Sequence, residues 1–180
     1  GHVGTAFAQP YVFKWDTTWV PDQLPEGVRL VARVQNGAGV WSVTPVVSRL
    51  SLQRPGVSVR LLKAVEVDTY LGVRDGEEKD VEFEVPEGVA RRATAARLAL
   101  RTWHGWDGHH HPLRFNDTEM PIHGRDHFYD FDLLPVSAAL VRPGTNELTI
   151  RSDTHHHMLE VLWPGPALIV RSESGRSAAD

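Results

Sequence analysis

The side chains with most chemistry here are histidines. All of the ten except His2 fall in three short stretches: His104 with His109, His110 and His111, then His123 and His127, then His155, His156 and His157. Neutral imidazole binds transition metals and titrates near physiological pH, so convergence of these stretches would serve metal binding, proton movement or pH sensing. With no cysteine in the chain, thiolate ligands are excluded. The expected metal set is therefore His109, His111, His123, His127, His155 and His157, holding zinc or copper. His123-Gly-Arg-Asp-His127 puts two imidazoles around a glycine, where loop geometry decides whether they meet. Read as a strand, His155 and His157 share a side with Leu159 and Val161, opposite His156 and Glu160. A neutral histidine buried against a carbonyl is the competing reading of each. Asp130 and Asp132 share a strand face and could take a structural calcium with loop carbonyls, or form a solvated edge.

A second chemistry lies in Trp103-His104-Gly105-Trp106-Asp107-Gly108-His109. Glycines let such a loop turn tightly, and indoles beside hydrogen-bonding groups suit sugar rings, which present apolar C–H faces and polar edges. His104, Trp106, Asp107, His109 and Arg125 are the expected carbohydrate-binding residues. Trp103, ending a strand, reads as a core residue. The chain has no HExxH motif, nucleophile motif or glycine-rich phosphate loop. Asp107 and Glu160 could form a carboxylate pair, but nothing in the sequence fixes the separation on which glycosidase chemistry depends. Binding without catalysis is the preferred reading, and a His-rich, metal-dependent polysaccharide-active enzyme the alternative.

The elements that must position these residues read as strands. Val28, Leu30, Ala32 and Val34 alternate with polar residues up to the turn Asn36-Gly37-Ala38-Gly39, and Trp41 and Val43 open the returning strand. Further runs are Val57 to Leu61, Val81 to Val85, Leu98 to Leu100, Tyr129-Phe131-Leu133 against Asp130 and Asp132, Leu148 to Ile150, Leu159 to Trp163 and Leu168 to Val170. Trp163-Pro164-Gly165-Pro166 reads as a rigid turn between the last two. Residues 90–96 read as loop or short helix. With no long amphipathic helix, the class is an all-β sandwich.

Composition narrows the function classes. The 180 residues, 41% hydrophobic, suffice for a buried core, and a net charge of −4 with 19 thinly spread basic residues argues against nucleic-acid partners. No apolar run approaches the roughly 20 residues of a membrane span, so no membrane insertion is expected. Gln53-Arg54-Pro55-Gly56 marks a boundary, giving a segment 1–53, a domain 55–171 and a polar tail 172–180.

Two family resemblances follow. Trp15-Asp-Thr-Thr-Trp-Val-Pro-Asp-Gln23, the strand from Arg29 to Val34 and Asn36-Gly-Ala-Gly39 resemble the later half of a bacterial immunoglobulin-like domain over residues 11–52. From Ala96, the strand to Trp103, Leu113-Arg-Phe-Asn-Asp117 with Met120-Pro-Ile122, the strand over 128–133 and Leu140-Val-Arg-Pro-Gly-Thr-Asn-Glu-Leu-Thr-Ile150 resemble the galactose-binding-like jelly roll. That fold serves as accessory modules of bacterial glycosidases and polysaccharide lyases, and Asn116-Asp117 departs from its Asn-Gly element. The resemblance covers residues 57–171. It implies a jelly-roll β-sandwich in an extracellular or cell-surface protein of bacteria, with carbohydrate as partner. The half immunoglobulin-like unit leaves strand edges that neighbouring copies of the chain, in a filament or surface assembly, would complete.

Overall fold

A computed structural model describes residues 2–24, 27–67, 71–105, 113–122 and 125–174, with the side chains at 163 and 164 left out. The chain divides into two compact units, residues 1–55 and 56–180. The class is all-β, as the alternating runs require.

In the first unit β1 (Val28–Leu30) pairs antiparallel with β4 (Val47–Leu50), and β2 (Arg33–Gln35) with β3 (Trp41–Val43). The single strand expected over 28–34 is thus divided between two ladders. Ala32 sits at the break, its N–H donating to Thr44 Oγ1 at 3.0 Å while its carbonyl accepts from Thr44 N at 2.9 Å. The Asn36 side-chain oxygen accepts from the N–H groups of Ala38 and Val40, which closes the expected turn with Gly39 at φ +80°. Arg54 ties the Trp-Asp-Thr-Thr segment down by donating to the carbonyls of Thr17 and Val20, both at 2.6 Å, and pairing with Asp22.

The second unit is a sandwich. One sheet orders β11 (Asp130–Val136), β8 (Ala93–His104), β13 (Leu159–Glu173) and β5 (Val57–Lys63), with β6 (Leu71–Val73) also on β13. The other orders β10 (Thr118–Met120), β9 (Leu113–Phe115), β12 (Gly144–Ser152) and β7 (Glu77–Val85). All pairings are antiparallel. One core joins the facing sides: Leu98, Leu100, Leu134, Leu159, Leu168 and Val170 from the first sheet meet Val81, Phe83, Phe115, Leu148 and Ile150 from the second. Burial of large apolar side chains at roughly 25 cal/mol per Å² is its main stabilising term.

Three further expectations change in the second unit. Residues 93–96 belong to β8, and the helix α1 (Glu87–Ala90) is a single turn before it. The two strands expected either side of Trp163-Pro-Gly-Pro166 are one, β13, which carries a register shift between Leu162 and Ala167. Gly165, at φ +142°, makes that bulge feasible because a Cβ there would lie 2.7 Å from the Ala99 carbonyl oxygen. β13 also runs to Glu173, so Ser172, expected in the polar tail, is a buried strand residue. Finally, Asn116 and Asp117, at φ +46° and +67°, supply the left-handed pair that a β9–β10 hairpin needs, so the departure from Asn-Gly leaves the turn intact.

A buried amide pair fixes the neighbouring loop. Asn116 Nδ2 donates to the Leu140 carbonyl at 2.7 Å and to Asn146 Oδ1 at 2.8 Å, while Asn146 Nδ2 donates to the carbonyls of Arg142 and Gly144. The Pro143-Gly144-Thr145-Asn146 motif therefore works through its asparagine.

Candidate functional site

The inward faces of β8 and β11 change character along their length. On β8 the line Ala96, Leu98, Leu100 continues into Thr102 and His104; on β11 Val136 and Leu134 give way to Asp132 and Asp130. The apolar core thus ends in a polar tip. His104 is fully buried, with Nδ1 3.5 Å from Asp126 Oδ1. Thr102 Oγ1 and Asp132 Oδ2 are enclosed without a hydrogen-bond partner among the described residues. Asp130 is clamped by Arg125, whose backbone N–H donates at 2.8 Å and whose guanidinium donates at 3.1 and 3.2 Å. These bonds, the guanidinium's first, hold the Asp130 carboxyl below its ordinary range, and the same bond raises Arg125.

This arrangement inverts the expected role of β11. Register follows Leu134 and Val136, and with a period of two that sends Asp130 and Asp132 inward and Phe131 and Leu133 outward. Phe131 lies opposite Arg101 in register, and Asp130 opposite Thr102. Tyr129 and Phe131 are 51% and 53% exposed, which makes them surface rings where the alternation suggested core.

Trp103 also faces outward, so the core role expected of it does not hold. Its ring centroid lies 5.8 Å from His127, 5.8 Å from His157 and 6.3 Å from Tyr129, and the two imidazoles meet edge to face at 5.0 Å. Two local features put the imidazoles there. The turn from Arg125 to Phe128 holds His127 at φ +59° and donates its N–H to the His104 carbonyl at 2.8 Å. Gly105, at the end of β8, leaves the space that the His157 ring fills. Arg101 sits over Tyr129 at 5.4 Å and Arg125 over Phe128 at 4.5 Å, both within cation–π range.

Of the expected site residues, His104 and His127 share Asp126, whose Oδ2 is 3.8 Å from His127 Nδ1, and His157 joins His127 through Trp103. His155 goes elsewhere, pairing with Asp75 at 2.7 Å with its side chain 83% exposed. The shared side expected for His155 and His157 does not arise because β13 begins only at Leu159. Arg125 serves Asp130 and Phe128. Trp106, Asp107, His109, His111 and His123 lie outside the described residues, and the zinc or copper expectation rests largely on them. Among the described residues no group of three or more His, Asp or Glu is arranged to hold a metal. Asp130, one half of the expected calcium pair, is engaged by Arg125. Sequence reading missed Arg101, Tyr129 and Phe131; the signal available was the pair of acids on the strand face taken as outward.

Two solved structures of BuGH86 in complex with neoagarooctaose, the wild type and a variant, each align with a TM-score of 0.49 at 14% identity. They cover 85% and 82% of this chain and 29% and 28% of their own. BpGH86A, a beta-porphyranase of glycoside hydrolase family 86 from the human gut bacterium Bacteroides plebeius, aligns with a TM-score of 0.45 at 15% identity, over 81% of this chain and 29% of its own. The chain thus spans under a third of the length of these proteins. No family model matches the chain, and no curated protein does.

Proposed function

We propose that this protein is a noncatalytic carbohydrate-binding module of an exported bacterial protein, and that the outward face around Trp103, Tyr129 and Phe131 receives the sugar. The observation that carries this reading is the half-exposed pair of rings, Tyr129 and Phe131, beside the partly covered indole of Trp103. Exposed aromatics grouped on one rigid sheet face lose little conformational entropy on binding and match the C–H face of a pyranose. The expected loop residues Trp106, Asp107 and His109 follow closely on β8 in sequence. His104, being buried, acts as a support: it faces Asp126, and its carbonyl anchors the His127 turn.

Affinity electrophoresis in polysaccharide gels and a glycan array test this with the wild type, Tyr129→Ala, Phe131→Ala and Trp106→Ala. The Tyr129 and Phe131 variants should each weaken retention by about 1 kcal/mol or more at unchanged melting temperature. Binding to no glycan, or retention indifferent to both rings, would refute the reading. Turnover of a bound polysaccharide by the wild type would assign the site to an enzyme instead.

A second reading rests on the first unit. Val34, Trp41, Val43 and Val47 are each more than half exposed on two-stranded ladders, and Val28 is the only buried hydrophobic residue among the described residues of that unit. Two-stranded ladders are marginal alone, so a neighbouring copy adding a strand would complete them in a filament or surface assembly.

A further inference from the structure

Resting on the carbohydrate reading, we infer that the sugar bound at this face is anionic, carrying a carboxylate or sulfate ester that seats against Arg101. β8 presents Arg101 outward in the same row as Trp103, and the residues in register with it are Phe131 on one side and Leu162 on the other. Its guanidinium lies on the Tyr129 ring and forms no ion pair with a carboxylate among the described residues. Arg125 provides the contrast, because Asp130 already neutralises it. The inverted register of β11 explains the difference. Asp130 and Asp132 point into the sandwich, so the strand that flanks Arg101 offers it aromatic and aliphatic side chains only. Glu160, on the same outward face, stands across from Trp103 and has an interaction of its own.

A chain of net charge −4 thus holds, as far as its described residues go, a cation stacked on an aromatic ring with no carboxylate among them paired to it. For a neutral sugar the guanidinium would supply hydrogen bonds alone. For an acidic one it supplies a planar fork of donors that matches two oxygens of a carboxylate or sulfate, while Tyr129 keeps the fork in place. Because the site is open to solvent, the electrostatic share is modest and falls as ionic strength rises.

The test measures affinity of the full chain for polygalacturonate (carboxylate), carrageenan (sulfate ester) and agarose (neutral) at low and high salt, with wild type, Arg101→Gln and Arg101→Lys. Tyr129→Ala serves as the control for the sugar face itself. The expected result is preference for one of the two anionic polymers, which one identifying the group. Arg101→Gln should weaken that polymer roughly fivefold at low salt, remove part of its salt dependence and leave agarose unchanged. Arg101→Lys should restore the charge-dependent part incompletely. Equal retention of neutral and anionic polymers, insensitive to Arg101→Gln but lost in Tyr129→Ala, would overturn the anionic assignment and leave the carbohydrate reading standing. Retention of none of the polymers, with Tyr129→Ala indistinguishable from wild type on a wider glycan array, would overturn both.

Discussion

His157 occupies the space in which a side chain at Gly105 would stand: a Cβ built there overlaps the His157 Cβ and Cγ. The last residues of β8 and the approach to β13 are therefore packed backbone to imidazole, and Trp103 takes its edge contact from the ring so placed. Gly105→Ala should expel His157 and cost about 1–3 kcal/mol through overpacking. A melting curve checks the stability, and the change in indole emission reports the lost contact. Unchanged melting temperature and emission would show that the two segments separate without cost.

The Arg125–Asp130 clamp sets a pH dependence whose sign is fixed. Asp130 has a folded pKa below its unfolded value, so its contribution is fully present above the ordinary carboxylate range and is lost as pH falls through the lowered folded value. Arg125 stays protonated throughout. Asp130→Asn should lower the melting temperature slightly at neutral pH, the pair being near solvent, and the gap to wild type should close on acidification below about pH 4. A gap constant down to pH 2 would mean that the clamp does not act through charge.

Asn146 accepts from Arg142 N and Asn116 Nδ2, both at 2.8 Å, and donates to two carbonyls. Asn146→Ala would leave these groups enclosed without partners, an expected loss of about 2–4 kcal/mol in denaturant titration. Asp117→Gly, at φ +67° on an exposed turn, should gain about 0.5 kcal/mol instead, since its long ion pair with Arg142 contributes little there. Opposite signs for substitutions in the β9–β10 turn and in the adjoining start of β12 separate buried-network effects from backbone effects.

What was legible in the sequence follows from these cases. Alternation located most strands of the sandwich, because a half-buried sheet imposes a period of two. It misassigned the outward side of β11, because the pattern Asp-Phe-Asp-Leu names two faces without saying which one meets the core. Leu134 and Val136 decided that, and they lie after the segment from which the alternation was taken. The histidines were similarly ambiguous. His155 and His157 are two residues apart, yet the bend before Leu159 turns one to Asp75 and the other to Trp103. Gly105 matters through a contact with a residue 52 positions away, which spacing cannot express.

The exposed ladders of the first unit give the last prediction. On β3 Val43 is 66% exposed and on β4 Val47 is 56% exposed, values that leave apolar surface facing water on strands that each have one ladder partner among the described residues. If a neighbouring copy completes these strands, light scattering on the full chain should give a mass that rises with concentration above that of a 20.1 kDa monomer. Val43→Lys should return it towards the monomer, because a charge on an exposed strand opposes edge pairing. A monodisperse monomer at every concentration, for wild type and variant alike, would remove the assembly reading and leave the outward aromatic face of the second unit as the functional surface.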